Sequence, residues 1–240
     1  MLGLGVGFYK LGGNEYPGGW NPGNIEGLIH WYRKGVGQTS REGDANTNCS
    51  IWADQKGSKN LTADATDDAV SPTLNEDGTI TFDSAGDIMR FGGDGLELGA
   101  FAIYVKISYS DAINGDLLFE KFGSGEDYLQ LATKAHTKVR INNNTRFDYD
   151  IDPVFPEDGT PFNVGFERVN GAGRNVYVYS EGISQELAGS DDGIEAITEL
   201  LDIGSIGKPV HTSTWHEIVI CNNALSSADR ALLNTYLDSI

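Results

Sequence analysis

Short apolar runs that alternate with polar residues recur along this chain of 240 residues. The run 101–108 places apolar side chains at every second position, a period that is typical of a half-buried β-strand. Comparable runs lie at 28–32, 51–54, 79–83, 117–121, 128–132, 138–141, 145–149, 162–169, 175–179, 201–204 and 215–220. Turn-forming residues separate them, and Asn-Gly-Ala-Gly at 170–173 indicates the clearest hairpin. The pattern predicts an all-β protein.

One segment, at the end of the sequence, has helical periodicity instead. Ser226 is suited to cap a helix N-terminus, and Asp229 follows where a carboxylate meets free backbone amides. The apolar residues that would share one face of this helix are Leu232, Leu233, Tyr236, Leu237 and Ile240. About a dozen strands and one short helix predict a two-sheet antiparallel jelly-roll sandwich.

Residues 1–24 differ from the rest and are predicted to form an extended, Gly-rich apolar arm, with the jelly-roll domain at 25–240. Lys10 is the one charged side chain among the first thirteen residues. An apolar segment of this kind cannot fold alone, so it either packs on its own domain or docks on a partner. We favour docking on a partner. The side chains expected to dock are Leu2, Leu4, Val6, Phe8, Tyr9 and Trp20.

The charge of the chain excludes several kinds of partner. Seventeen Lys and Arg residues stand against 35 Asp and Glu residues, a formal net charge of −18. Nucleic-acid backbones and anionic membrane surfaces would repel such a protein, so neither is expected as a partner. The acidic surface is explained by solubility, with a hard cation or a basic partner as alternatives. Without a signal-peptide pattern or a membrane-length apolar run, synthesis in a cytoplasm is expected.

The sequence contains two cysteines, Cys49 and Cys221, far apart and without metal-ligand spacing. We expect two reduced, partly buried thiols, although a closed sandwich could make them neighbours.

Several segments in order resemble the concanavalin A-like lectin/laminin-G-like superfamily, which implies a jelly-roll fold over 25–240. They are Gly-Leu-Ile-His-Trp-Tyr at 27–32, Ile-Trp-Ala-Asp-Gln-Lys-Gly at 51–57, 79–83 with 87–89, 201–204, 215–220 and Asn-Ala-Leu-Ser at 223–226. The start, Met-Leu-Gly-Leu-Gly, resembles virion structural proteins of marine T4-like phages. That resemblance implies a capsid-decoration or appendage protein, present in several copies or as a homo-oligomer, that contacts other virion proteins.

The superfamily also includes glycanases, which need two carboxylates about 5–5.5 Å apart when they retain configuration. The glutamate-x-aspartate-x-x-glutamate strand of that branch is absent. Asp148, Asp150 and Asp152 come nearest, but they are predicted to lie in a loop-rich segment, and Glu217 stands alone on its strand. No catalytic residue is assigned, and the protein is predicted not to be an enzyme.

The histidines show no metal-ligand spacing, and packing is favoured for His30 and His216, which adjoin tryptophans on strands expected to pair. No cofactor is expected, and calcium is the one alternative, because acidic loops can supply its oxygen ligands. The candidate calcium ligands are Asp64, Asp67, Asp68, Asp191 and Asp192. The candidates for stacking on a sugar ring are Tyr128, Tyr177 and Tyr179, with packing as the alternative.

These observations predict a non-enzymatic virion structural protein, made in the host cytoplasm, that displays a lectin-like domain. The alternative is a carbohydrate-binding adhesin module for a cell-surface glycan, with or without calcium. A glycan hydrolase is the third and least favoured hypothesis.

Overall fold

The computed structural model describes residues 20–40, 48–63, 71–83, 86–121, 127–141, 145–170, 175–188, 199–207 and 210–240. They form a 3-10 turn at Pro22–Asn24, twenty strands and one α-helix, α1 (Ser227–Asp238). The strands are β1 Leu28–Tyr32, β2 Gln38–Ser40, β3 Cys49–Trp52, β4 Leu61–Ala63, β5 Thr73–Leu74, β6 Ile80–Phe82, β7 Ile88–Phe91, β8 Leu96–Leu98, β9 Phe101–Tyr109, β10 Asn114–Glu120, β11 Tyr128–Thr133, β12 His136–Ile141, β13 Thr145–Asp150, β14 Phe162–Arg168, β15 Val176–Ser180, β16 Ile183–Ser184, β17 Glu186–Leu187, β18 Leu201–Ile203, β19 Ser205–Gly207 and β20 Ser213–Cys221.

The strands form two large sheets, and the predicted all-β sandwich is confirmed. The eight-stranded sheet has the order β16-β15-β14-β9-β20-β6-β5, and β1 also pairs with β20. The ten-stranded sheet has the order β17-β13-β12-β11-β10-β19-β7-β4-β3-β2, and β8 with β18 forms a separate ribbon. Every described pairing between strands is antiparallel. Neighbours distant in sequence, such as β9 and β20, give the long crossovers of a jelly roll.

The main core lies between the two sheets and consists of the inward-facing apolar side chains of both. Trp215 of β20 is 1% exposed and lies 5.6 Å from the Phe82 ring of its own sheet. It also lies 5.8 Å from the ring of Phe119 in the opposite sheet. Aromatic contacts of this kind add to the burial that joins the two layers.

The turn at 53–57 shows why its sequence contains Asp54 and Gly57. The Asp54 carboxylate accepts hydrogen bonds from the ring of His30 at 2.6 Å and from the backbone amides of Trp31 and Lys56 at 3.0 Å. Burial alone would raise the pKa of Asp54, but these bonds lower it to about 2. A side chain at Gly57 would meet His30 and the Asp54 carboxylate within 2.8 Å, so only glycine fits there.

A second core lies on the outer face of the eight-stranded sheet, where α1 covers it. Leu233 and Leu237 are fully buried in this core, whereas Leu232, predicted on the same face, is 43% exposed. The covering helix also changes the environment of β9, which was predicted to be half-buried. All nine residues of that strand are buried, because α1 and its neighbours close the face that would otherwise meet water.

The helix begins where the sequence predicts. The Ser226 hydroxyl accepts a hydrogen bond from the Asp229 amide at 3.0 Å and donates one to the Asp229 carboxylate at 2.6 Å. This cap satisfies an amide that the first helical turn leaves unpaired. Among the described residues, no helix is long and apolar enough to cross a membrane.

Both cysteines are buried and neither forms a disulfide, in agreement with the expectation of reduced thiols. Cys49 lies in the main core and Cys221 in the second core, so they occupy different layers rather than neighbouring positions. Burial raises the pKa of each thiol to about 12, which leaves both unreactive at neutral pH.

Candidate functional site

The two sheets differ in how much of their outer surface meets solvent. The central strands β9 and β14 of the eight-stranded sheet are buried on both faces. In β11 and β12 of the ten-stranded sheet, buried residues alternate with partly or fully exposed ones. We call this solvent-facing side of the ten-stranded sheet the open face. Its strands β11 and β12 leave polar side chains accessible at alternate positions.

Strand register aligns one row of side chains across the open face, here called the central row. Its members, in order from β13 to β4, are Arg146, Arg140, Tyr128, Glu120, Ser205, Arg90 and Thr62. Directly opposite residues of this kind have side chains within contact distance. The row crosses seven strands and combines an aromatic ring with cationic, anionic and hydroxyl groups, of which Glu120 and Ser205 are buried.

Tyr128 lies in the centre of the polar part of this row, between Glu120 and Arg140. Its ring is only partly buried, and the Arg140 guanidinium lies 5.8 Å from the ring centroid. Glu120 is 2% exposed, so its side chain is buried between its neighbours. An accessible ring beside hydrogen-bonding groups suits a ligand with one apolar face and a polar rim.

A second row runs parallel to the central row, two residues further along the strands. It includes Asp148, Lys138 and Gln130, which stand opposite one another on β13, β12 and β11. The Gln130 amide donates to the Gly115 carbonyl at 2.9 Å, and Asp148 accepts from Arg146 at 3.0 Å. These contacts hold the polar side chains in position and widen the polar surface beside Tyr128.

A shallow pocket of about 250 Å³ adjoins the central row at Arg90. Its charged lining consists of Arg90, Asp94, Lys121 and Asp202. The Lys121 ammonium and the Asp202 carboxylate lie 3.2 Å apart, and the Asp127 carboxylate accepts from the Asp202 amide at 2.8 Å. Sites for drug-sized ligands are usually larger, at about 300–1,000 Å³, so this recess suits one small polar group.

The other two tyrosines proposed for sugar stacking lie on the opposite side of the sandwich. Tyr177 and Tyr179 belong to β15 and point outward from the eight-stranded sheet, opposite Glu167 and Gly165. Tyr177 is 38% exposed. The guanidinium of Arg230, from α1, lies 4.1 Å from the Tyr179 ring centroid and occupies one face of that ring. The three tyrosines therefore do not form one site.

The three aspartates nearest to a catalytic pattern are placed differently from the prediction. Asp148 and Asp150 belong to strand β13 rather than to a loop, and Asp152 follows it just before the cis Asp152–Pro153 bond. Alternate positions on one strand are about 7 Å apart, a separation that inverting glycosidases use. However, Asp148 contacts Arg146, and Asp150 contacts His136 at 2.8 Å. Neither carboxylate belongs to the lining of the pocket beside Arg90 that is described above.

Two further glutamates, Glu167 and Glu217, are buried beneath α1. Glu217 accepts hydrogen bonds from the Trp31 indole at 2.6 Å and from the Tyr236 hydroxyl, and burial raises the pKa of its carboxyl group. The strand register separates the two glutamates by about 16 Å. Glycosidase carboxylates stand within about 10 Å, so these two do not form a reactive pair.

His30 and His216, for which packing was favoured, are both buried. β1 pairs with β20, so the strands of His30 and His216 are neighbours. His30 contacts Asp54, whereas neither ring nitrogen of the buried His216 has a hydrogen-bond partner among the described residues. His211 lies 3.4 Å from the carboxylate of Asp116.

The candidate calcium ligands Asp64, Asp67, Asp68, Asp191 and Asp192 lie outside the described residues. In the described part of the chain, no group of three or more His, Cys, Asp or Glu side chains could hold a metal ion.

The arm residues Leu2, Leu4, Val6, Phe8 and Tyr9 also lie outside the described residues. Trp20 is described, and its ring lies 6.3 Å from that of Tyr236 on α1. The chain therefore enters the domain on the helix-covered side of the sandwich, opposite the open face.

The sequence offers Tyr128 as a candidate, and the strand register places beside it four charged residues that the sequence analysis did not name: Arg90, Glu120, Arg140 and Arg146. The available signal was alternation: polar residues at 128 and 130, 138 and 140, and 146 and 148 occupy one face of three successive runs. Ser205 and Arg90 carry no such signal, because β19 and β7 are brought beside β10 only by the topology.

The fold and the central row together define an antiparallel β-sandwich domain with one solvent-facing sheet. No protein-family model and no curated protein sequence matches the chain.

Solved structures with the same fold include three of different origin. Domain 4 of AbnA, a GH43 extracellular arabinanase from Geobacillus stearothermophilus, in complex with arabinotriose, has a TM-score of 0.59 at 13% identity over 88% of this chain and 99% of that one. Trypanosoma rangeli sialidase has a TM-score of 0.53 at 14% identity, and botulinum neurotoxin type C, described as dependent on two ganglioside molecules for cell entry, has 0.53 at 12%. This chain spans 33% of the sialidase chain and 51% of the neurotoxin chain in those solved structures. At these identities the similarity shows the fold.

Proposed function

We propose that this chain is a non-enzymatic carbohydrate-binding domain that binds glycan on its open face around Tyr128. The observation that carries the proposal is the partly exposed Tyr128 ring within a row of hydrogen-bonding side chains. A sugar ring has apolar faces and a rim of hydroxyl groups, which match an aromatic platform flanked by charged donors and acceptors. Two proteins with this fold, the arabinanase domain and the neurotoxin, are described with a bound or required glycan.

Replacing Tyr128 with alanine should weaken glycan binding about 5–30-fold, the effect of losing about 1–2 kcal/mol at a central aromatic contact. Binding would be measured on a glycan array and then by calorimetry with the best oligosaccharide, with and without a chelator. Tyr177→Ala is the matched control, because it removes an exposed tyrosine from the opposite side of the sandwich.

Equal losses for the two variants would contradict a site at Tyr128, and no binding on the array would contradict glycan recognition itself. Loss of binding with the chelator alone would support the calcium-dependent form of the proposal. Release of reducing sugar that is abolished by amidation of one carboxylate, such as Asp148→Asn or Asp150→Asn, would contradict the non-enzymatic assignment and favour a hydrolase.

We further propose that the domain is displayed on a virion and docks there through the N-terminal arm. The apolar, nearly uncharged sequence of residues 1–13 supports this proposal, together with the resemblance of the first five residues to virion proteins. The position of Trp20 is compatible with it, because a partner that holds the arm at the helix-covered side leaves the open face directed outward.

Deletion of residues 1–19 should abolish co-sedimentation of the protein with purified virions. The deletion stops before Trp20, so the β-rich circular dichroism spectrum and the glycan affinity should both persist. Retained co-sedimentation of the shortened protein would exclude docking through the arm.

A further inference from the structure

Arg140 and Arg146 stand directly opposite each other on β12 and β13, beside Tyr128. Two like charges in directly opposite positions of an antiparallel pair destabilise a sheet. The side chain of Arg146 is 49% exposed, and that of Arg140 is partly exposed. Asp148 offsets part of this repulsion, because its carboxylate lies 3.0 Å from the Arg146 guanidinium, and the Arg140 guanidinium lies 5.8 Å from the Tyr128 ring centroid. The two guanidinium groups thus remain side by side, next to an aromatic ring, on the surface of this sheet.

The cations of the open face also contrast with the rest of the chain. The central and second rows contain four cationic side chains, Arg90, Lys138, Arg140 and Arg146, against the two carboxylates of Glu120 and Asp148. The whole chain has a formal net charge of −18. Asp150, beside these rows, pairs with His136, and Asp94 and Asp202 lie beside Arg90. Because charges more than about 8–10 Å away are largely screened at physiological ionic strength, a ligand placed at Arg140 and Arg146 meets mainly these two cations, Lys138 and the carboxylate of Asp148.

We propose that the open face selects carboxylate-bearing saccharides, with the carboxylate of a sugar residue received by Arg140 and Arg146 and its ring placed against Tyr128. This inference rests on the proposed glycan-binding function and names the ligand class. A guanidinium donates two parallel hydrogen bonds to a carboxylate, and such charge-assisted pairs are stronger than neutral ones. A carboxylate placed between two arginines also removes their mutual repulsion.

The geometry sets the size of the ligand as well. The two arginines and Tyr128 occupy three adjacent strands, which are about 4.8 Å apart, so they span about 10 Å. One acidic sugar residue and its neighbour cover that distance. The many acidic side chains elsewhere disfavour a long, densely charged polymer, so short acidic oligosaccharides or acidic chain ends are expected.

The test uses the full chain and a panel of trisaccharides that end in a uronic or sialic acid, each paired with its carboxyl-reduced, neutral counterpart. We expect each bound acidic trisaccharide to bind at least about tenfold more tightly than its neutral counterpart at low salt. This preference should shrink at about 0.5 M salt, because screening weakens exposed charge pairs.

The variants Arg140→Gln and Arg146→Gln should each lower affinity for the acidic trisaccharide about tenfold and leave the neutral one within about twofold. Arg140→Lys keeps the charge but loses the planar pair of donors, so it should restore only part of the affinity. Lys56→Gln, which removes an exposed cation from the loop between β3 and β4, is the charge-matched control and should have no effect. Circular dichroism verifies that each variant is folded.

Each outcome separates the two proposals. Equal affinity for acidic and neutral trisaccharides, with loss of both on Tyr128→Ala, would overturn the acidic preference and leave glycan binding in place. A preference that persists in both arginine variants would overturn the assignment to Arg140 and Arg146. If no member of the panel binds, the acidic preference is overturned. If no neutral glycan binds on the array either, the proposed glycan-binding function is overturned as well.

Discussion

Replacing Arg230 with methionine should lower the free energy of unfolding by about 3–5 kcal/mol, because it removes one partner of a buried ion pair. Arg230 donates to both carboxylate oxygens of Glu167, at 2.9 and 2.8 Å. The side chain of Glu167 is 1% exposed, and the Tyr104 hydroxyl donates to it at 2.6 Å. Without Arg230, a charged carboxylate would be left beneath α1 with too few donors. Chemical denaturation at pH 7 measures the loss.

Two further variants distinguish this cause from general damage to the helix. Adding Glu167→Gln to Arg230→Met removes the unpaired charge, so the double variant should recover most of the lost stability. Arg146→Met breaks the Arg146–Asp148 pair, whose side chains are 49% and 30% exposed, and should cost less than about 1 kcal/mol. If Arg230→Met and Arg146→Met cost the same, the buried pair does not hold α1 to the sheet.

Acidification from about pH 6.5 to pH 4 should remove at most about 3 kcal/mol of stability through His216 alone. Burial, followed by the nearby charges of Lys34 and Lys106, lowers the pKa of His216 to about 4, while Asp77 acts in the opposite direction. The unfolded chain takes up this proton near the ordinary value of 6.5 and the folded chain only near 4. Between these values the unfolded state binds more protons. The stability that depends on a neutral His216 is therefore fully present above about pH 6.5 and is lost as the pH falls towards about 4.

The measurement is the free energy of unfolding of the wild type and of His216→Leu at several pH values between 7 and 4. His216 is 8% exposed and its ring nitrogens have no hydrogen-bond partner in the described part of the chain, so leucine should be tolerated. The variant should gain stability relative to wild type as the pH falls. His136→Gln, at a side chain that is 48% exposed, is the control. Parallel curves for wild type and His216→Leu would contradict the assignment.

The sequence allowed the longer strands and the helix to be predicted because their signals are local. The run 138–141 became β12, His136–Ile141, and the capped segment after Ser226 became α1. Strands of two residues, such as β5 and β16, have too few positions to show a period of two. They exist because a neighbouring strand offers an edge with unpaired backbone groups.

The candidate site could be predicted only in part, because its residues come from distant segments. Tyr128 was identified as an aromatic residue on a strand, but its neighbours Glu120 and Ser205 lie on β10 and β19. Which residues stand opposite depends on register, and register depends on which side chains fill the core between the sheets. Tyr179 had the same local pattern, yet Arg230 from α1 occupies one face of its ring.

By itself, the amino-acid sequence determined the β class, the approximate places of the longer strands, the capped helix and the acidic character. The strands and the helix depend on the pattern of side chains close together in the chain, and the acidic character is the sum of the charges of all side chains. The tertiary structure alone decided that α1 closes one sheet, so that β9 is buried on both faces and the ten-stranded sheet keeps the open face. It also decided that Arg140, Arg146 and Tyr128 share one row. Both results come from packing and pairing between distant segments, which no local period encodes.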